Sequence, residues 1–451
     1  MLASLSLAVT AIAATTDSTP RQSAVHAFEN VSVIPMDRER VLERHTVVVE
    51  GDRIVALGAS SRVKVPQGAV RIDGTGKFLI PGLAEMHAHI PPGPAVSDTA
   101  IERILALFAL KGVTTVRGML GDPRHLPLRE RAARNEILRP TIYSSSPSLN
   151  GNSMKTGAEA ADSVTKYRQQ GYDLLKIHPG IKRGVFDTIA ATARRVGIPF
   201  AGHVPLEVGI EHAIESGYQT VDHFDGVMEG LVPDQRIFTP QEAGFFGVGL
   251  IDRMDEKRIK LLADKAAARG VWVVPTETLM RYIFGPYSAD ELRSWPEMKY
   301  WSKAGVQQWV NVTGSWRSGI TPEAGARYVE LRKKIIRTFY DAGVPFLLGS
   351  DAPQVWNVPG FSTIRELGFV VDAGLTPFQA LQSGTVNVAK YTKTEATTGT
   401  IATGKRADLV LLDGNPLEDI ANVGRQAGVM VRGRWLPAEE ISRRLAAFEA
   451  K

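Results

Sequence analysis

The sequence contains no cysteine. Disulfides, thiolate metal sites and a cysteine nucleophile are excluded, so any metal must rest on histidine, carboxylate or modified lysine. Runs of five or six basic residues are also missing. With 53 Lys and Arg against 48 Asp and Glu, the net charge is only +5, which argues against a nucleic-acid partner. The apolar run from Leu2 to Ala14 is too short to span a membrane, and no later segment reads as a span. That run ends in small residues around Ala11, Ile12 and Ala13 and then turns polar, like the hydrophobic and cleavage regions of a secretory signal, although a positively charged lead is lacking. Residues 1–14 are therefore expected to be a signal peptide and the protein periplasmic or secreted; a cytoplasmic protein with an apolar tail is the alternative. No Gly-x-Gly-x-x-Gly follows the first strand-like run of the central region, which counts against a dinucleotide fold.

What is present suits a large barrel domain with a small companion. The 451 residues suffice for both, and 44% hydrophobic with 22% charged residues is ordinary for a soluble globular chain. From His26 to Leu79 the sequence is strand-like, broken by Gly, Asp and Pro. The C-terminal stretches ADLVLLDGNP and AGVMVRGRWL have the same texture. Each end alone is too small to bury a core, so one small β-sandwich built from residues 26–80 and 394–451, with a terminal helix, is expected. Between them, over 81–393, eight apolar runs alternate with helical patterns: LIPGLAEMHAH, GVTTVRGM, TIYSSSP, DLLKIH, IPFAGHV, TVDHFDG, VWVVPTE and VPFLLGSDA. Alternation of this kind implies a parallel sheet, and eight units suit a closed (β/α)8 TIM-like barrel. An open doubly wound sheet is the structural alternative.

Polar residues fall at one end of these runs. His87 and His89 close the first, Lys176 the fourth, His203 the fifth, His223 the sixth and Asp351 the eighth. The C-terminal ends of barrel strands share one face, so residues distant in sequence converge there. His87 and His89 are two apart and point to the same side of a strand, with Ala88 facing away, so both imidazoles can meet one ion. Such a pair alone is weak evidence; six candidates at matching strand ends are stronger. Lys176 ends an apolar strand where an ammonium is costly to bury. A free amine has one lone pair and cannot bridge two metals, whereas a carbamate formed with carbon dioxide can; a salt-bridged or substrate-binding lysine is the alternative. Asp351 follows a strongly apolar strand and can bind metal and accept a proton, or cap a following helix, a role with which Pro353 is compatible. In a two-metal site, two divalent cations would meet three negatives from Asp351, a carbamate and a bridging hydroxide, leaving one positive charge to polarise a carbonyl.

On the motifs LIPGLAEMHAHI, LLKIH, FAGHV, VDHFDG and LLGSDAP, with LTPFQALQSGTVNVAKY and GTIATGKRADLVLLDGNPLEDI further on, the chain resembles the amidohydrolase superfamily. It resembles in particular the imidazolonepropionase-like and Xaa-Pro dipeptidase-like branch. The likeness runs from about His26 to Trp435. It implies two divalent ions, zinc above all. His87 and His89 would hold the more buried one, carboxylated Lys176 would bridge, His203 and His223 would hold the second, and Asp351 would bind metal and shuttle protons to and from a metal-bridging hydroxide. Some imidazolonepropionase-like members bind one metal and lack the lysine, so Lys176 tips the expectation towards a binuclear enzyme cleaving a dipeptide or N-acyl amino acid. A cyclic amidohydrolase or a carbamate or ester hydrolase is the alternative, and a non-enzymatic binding module is disfavoured by the intact ligand set. The expected partner is a small amide or peptide, and a homo-oligomer is expected.

Substrate contacts are sought in the loops. His178 shares the side of Lys176. Arg281 and Tyr282 are candidates to meet a substrate carboxylate. The polar stretch from Asn150 to Thr156 reads as an ordinary surface loop or as a contact near the scissile bond. Four of the seven tryptophans, Trp295, Trp301, Trp309 and Trp316, fall between Arg281 and Arg327; they read as packing in a helical lid, with an aromatic substrate wall as the alternative. His26, His45, His125 and His212 read as structural or exposed.

Overall fold

The computed structural model describes residues 25–94, 96–234 and 236–449. The expected signal peptide, residues 1–14, lies outside them. None of the described helices is long and apolar enough to cross a membrane.

Fifteen strands are described, and they form two systems. β1 (Val25–Val33), β2 (Leu42–Glu50), β3 (Arg53–Ala59), β4 (Val70–Asp73) and β5 (Phe78–Pro81) come from the N-terminal end. They join β13 (Leu409–Leu412), β14 (Gln426–Val431) and β15 (Arg434–Pro437) from the C-terminal end. The junction is the antiparallel pairing of β5 with β13, with Leu79 opposite Leu411. All eight belong to one hydrogen-bonded sheet, in the order β15-β14-β13-β5-β1-β2-β3 with β4 beside β1. Its core draws on both ends, with Phe28, Val47 and Ile54 packed with Leu409, Leu411 and Met430. Neither end holds enough apolar surface to fold by itself, which is why the chain returns to complete the sheet.

The second system is the barrel. β6 (Leu83–Ala88), β7 (Val113–Gly118), β8 (Thr141–Leu149), β9 (Leu174–Ile177), β10 (Phe200–Gly202), β11 (Thr220–Asp222) and β12 (Trp272–Val274) pair in parallel and in sequence order. β6, β9, β10 and β11 are buried throughout, as strands enclosed on both faces must be. The eighth apolar run closes the circle, although it forms no regular strand. Leu347 donates its N–H to Val273 O at 2.9 Å on one side, and Met86 donates to Leu348 O at 2.7 Å on the other. Its ladder is cut short because the N–H of Ser350 is taken by the buried Glu85 carboxylate at 2.6 Å. Parallel pairing puts the C-terminal ends of all these segments at one mouth.

Candidate active site

The mouth of the barrel gathers the predicted polar residues. His87 Nε2 lies 3.2 Å from Lys176 Nζ and 3.5 Å from Asp351 Oδ1, and His89 Nε2 lies 2.7 Å from that same oxygen. The His223 ring sits 4.4 Å from the His87 ring and 4.7 Å from that of His203. His87, Lys176 and His223 are shut away from solvent, and Asp351 is nearly so. Burial and the neighbouring positive groups hold the imidazoles of His87 and His223 well below the usual histidine range, and burial pushes His203 down to about 3. These rings are therefore neutral at physiological pH and have lone pairs to offer.

Each imidazole has its other nitrogen engaged. His87 Nδ1 lies 2.8 Å from Asp222 Oδ2, and His203 Nδ1 lies 2.9 Å from Asp225 Oδ2. His223 Nδ1 meets Thr276 Oγ1 at 2.8 Å. That hydroxyl gives its own proton to Pro275 O, so it accepts from His223. At His203 and His223 the hydrogen bond places the proton on Nδ1, and at His87 the adjacent carboxylate favours it there, so Nε2 is left as a donor of electrons into the cluster.

The residues fit a metal. Asp351 Oδ1 is buried without a hydrogen-bond partner and faces two imidazole nitrogens. His87, His223 and Asp351 each offer a ligand atom within 4.8 Å of the others. Neutral imidazoles and a carboxylate sharing one small buried space are the donor set of a divalent cation.

Strain marks the same place. His223 (φ 65), Thr276 (φ 53) and Asp351 (φ 68) are non-glycine residues in the left-handed region, each beside the end of a barrel segment. Such conformations cost about 1–3 kcal/mol each and persist only where the surroundings enforce them. The enforcing group at His223 is Arg332, fully buried, which donates to the carbonyls of His223 and Pro275 at 2.8 Å and is neutralised by Glu277. At Asp351 the carbonyl of the preceding Ser350 is held by Asn357 Nδ2 at 2.7 Å. No helix begins at Asp351; the next starts at Phe361 with Gly360 as its cap, so the helix-capping alternative is not realised. Gly202 is required by close approach, since a Cβ there would lie 2.9 Å from the Lys176 Cδ.

Several supporting residues escaped the sequence reading. Arg117 on β7 is buried and spans the barrel interior, donating to Met86 O, Thr220, Tyr391 and both oxygens of Asp222. It thereby fixes the carboxylate that orients His87. Asp222 and Asp225 flank His223 in sequence, and an acid beside a histidine at a strand end was the available signal. Replacing Asp222 by Asn should weaken metal binding roughly 10-fold, since outer partners of ligating histidines contribute about 10–100-fold. Competition with a chelator measures this, and unchanged affinity would show that Asp222 only packs against Arg117.

The proposed substrate contacts divide. His178 comes to the site: its ring stacks 5.0 Å from that of His203, and its Nδ1 meets Ser148 Oγ at 2.8 Å. Arg281 and Tyr282 do not join the cluster. The Arg281 guanidinium is bound to Asp372 at 2.6 Å and lies over Phe369, while the Tyr282 ring packs among Tyr287, Trp295 and Phe369. Both lie on the buried helix Glu277–Phe284. In the polar loop, Asn150 turns back on Ser148 Oγ at 2.8 Å and so supports His178 indirectly. The tryptophans mainly pack. Trp301 stacks on Trp309, and Trp309 meets Trp356 edge-on. Trp316 stacks 4.4 Å from Phe245, a residue of the cavity wall beside the histidines. His45, His125 and His212 stay outside the cluster, contacting Glu43 O, Pro91 O and Asp187 respectively.

Beside His203 and Asp225 opens a cavity of about 470 Å³ with mostly apolar walls. Phe246 forms part of it, its ring 6.0 Å from that of His203 and 5.3 Å from that of His223.

Comparison with known proteins bears on this arrangement. Residues 78–436 match the family described as the Amidohydrolase family. The imidazolonepropionase of Alkaliphilus metalliredigens (strain QYMF) is 24% identical over 398 residues, covering 84% of this chain and 86% of its own. Among solved structures, a Xaa-Pro dipeptidase with bound methionine in the active site superposes with a TM-score of 0.67 at 19% identity, covering 92% of this chain and all of its own. A bottromycin amidohydrolase gives 0.70 at 20% identity, covering 96% and 92%. At these identities the structural likeness establishes the fold: a TIM barrel with a second β domain.

Proposed function

We infer the reaction from two facts: the chain belongs to the amidohydrolase family, and its barrel mouth holds a buried lysine amine among neutral imidazoles. The protein is a metal-dependent hydrolase that cleaves an amide C–N bond, most simply in a dipeptide or an N-acyl amino acid. Lys176 carries this reading. Its Nζ lies 3.2 Å from His87 Nε2 with no solvent access. Burial pushes it down to about 8, against the pull of Asp222 and Asp351, so roughly a tenth is free amine at pH 7, far more than for an exposed lysine. A free amine attacks carbon dioxide; loss of one proton leaves a carbamate with two oxygens and a negative charge.

Two divalent ions, zinc by the chemistry of the donors, fit this set. His87, His89 and Asp351 would hold one, His203 and His223 the other, and the Lys176 carbamate would touch both. Bound there, they supply polarisation of the scissile carbonyl and a water acidified towards neutral pH. The protein's own groups do the rest. Asp351 accepts the proton of the attacking water as the tetrahedral carbon forms and returns it to the leaving nitrogen. The acids behind His87 and His203 keep the rings oriented throughout.

Replacing Lys176 by Ala should reduce bound metal from two ions per chain to one, and short-chain carboxylic acids should restore part of the lost rate. A crystal structure at neutral pH with an unmodified Lys176 turned away from the metals would overturn the carbamate. Ring opening of a cyclic amide is the second reading, favoured by the imidazolonepropionase relatives. Screening the zinc- and bicarbonate-loaded protein against dipeptides, N-acyl amino acids and a cyclic amide separates the two; turnover of the cyclic amide alone would replace the first with the second.

A further inference from the structure

We propose that the cavity beside His203 is a subsite for a substrate group in which an apolar body carries an ammonium or guanidinium, with Glu229 as its counter-charge. The proposal rests on the amide-hydrolase reading of the adjoining site, and it selects among the substrates that reading allows.

The charged lining of the cavity has one sign. Among the described residues around it, Glu207, Asp225 and Glu229 are acidic, and none is lysine or arginine. Asp225 is committed to His203 at 2.9 Å. Glu229 is not so committed: its Oε2 is sealed from solvent with no hydrogen-bond partner. Glu229 also borders a neighbouring cavity of about 350 Å³, so it stands where the two meet. A buried carboxylate oxygen without a donor is costly unless a cation satisfies it. The neighbouring cavity is lined by Arg183 and Arg236, and the Arg183 guanidinium donates to Val208 O at 3.3 Å. Arg236 and Arg253 lie over the Phe238 ring, but Arg236 is bound to Glu242 at 2.5 Å and Arg253 to Asp234 at 3.4 Å. Burial, with Asp225 nearby, raises Glu229 to about 8, so without a cation beside it the acid is mostly protonated at neutral pH, and an arriving ammonium or guanidinium draws it into its charged form.

The rest of the wall selects the body of the group. Ile181, Val204, Phe238, Phe245 and Phe246 present aliphatic and aromatic surface, and the volume of about 470 Å³ exceeds what a small polar group needs. Aromatic faces also favour a cation over a neutral group of the same shape. An apolar chain or ring ending in a protonated amine satisfies wall and acid together, whereas an acylated, uncharged nitrogen would leave Glu229 unmatched.

The test compares matched ligands. Phenethylamine and its neutral counterpart 2-phenylethanol are titrated calorimetrically into zinc-loaded protein, and dipeptides with a free amine are assayed against their N-acetyl forms. The expected preference for the charged member is on the order of 10- to 100-fold in Kd and in kcat/KM, the scale of a hydrogen bond to a charged group. Glu229→Gln should collapse that ratio. Equal binding of amine and alcohol by the unaltered protein, or a ratio untouched by Glu229→Gln, would overturn the subsite. If no amide of either kind is cleaved while the amine still binds preferentially, the failure belongs to the amide-hydrolase reading and the subsite stands. Equal binding of amine and alcohol by the unaltered protein overturns the subsite even where the variant folds poorly.

Discussion

Asp351→Asn should lose roughly 10²–10⁴-fold in kcat on an amide while keeping its metal, the usual worth of a positioned acid–base group. Asparagine preserves the shape and one oxygen for coordination but cannot carry a proton. Asp351 suits the role. Its Oδ1 has no hydrogen-bond donor and lies 2.7 Å from His89 Nε2 and 3.5 Å from His87 Nε2. Its backbone is held in the left-handed region, with Asn357 clamping the preceding carbonyl, and its side chain is buried against the imidazoles. An amine is a poor leaving group and needs the returned proton, whereas an alcohol leaves more easily. The loss should therefore be smaller for an ester of the same acyl group. Matched substrates with metal content measured on the same preparation check this. Equal losses on amide and ester, with metals retained, would make Asp351 a ligand only and send the proton by another route.

Much of the site was legible because parallel barrel strands concentrate information. Buried on both faces, they read as short apolar runs, and a polar residue ending such a run has one destination, the barrel mouth. His87, Lys176, His203, His223 and Asp351 were found on that logic. What holds them was not legible. Arg117 looks like one more residue of an apolar strand until Asp222, from 105 residues further on, is seen against it. Arg332 lies on a long helix with nothing in its spacing to show that it fixes His223. Arg281 was misplaced for the complementary reason: a cation after a strand end suggested a substrate carboxylate, and its partner Asp372 was invisible at a distance of 91 residues. Left-handed backbone at His223, Thr276 and Asp351 leaves no trace in composition, because none is glycine. The eighth segment was visible as a hydrophobic run, but the capture of the Ser350 N–H by Glu85, which spoils its ladder, was not.

Removing the metal should have the largest effect of all. Without it, His87, His89, His203 and His223 are neutral rings with no means of polarising a carbonyl, and water keeps a pKa far too high to act as a nucleophile at neutral pH. Hydrolysis should fall to background in thoroughly stripped protein, and zinc or a similar divalent ion should restore it, saturating near two ions per chain in the presence of bicarbonate. The decisive measurement is the rate on one amide substrate alongside elemental analysis of the same sample, through stripping and stepwise return of metal. The account predicts a rate that follows metal content from background to full activity; full activity in protein shown to be metal-free would contradict it.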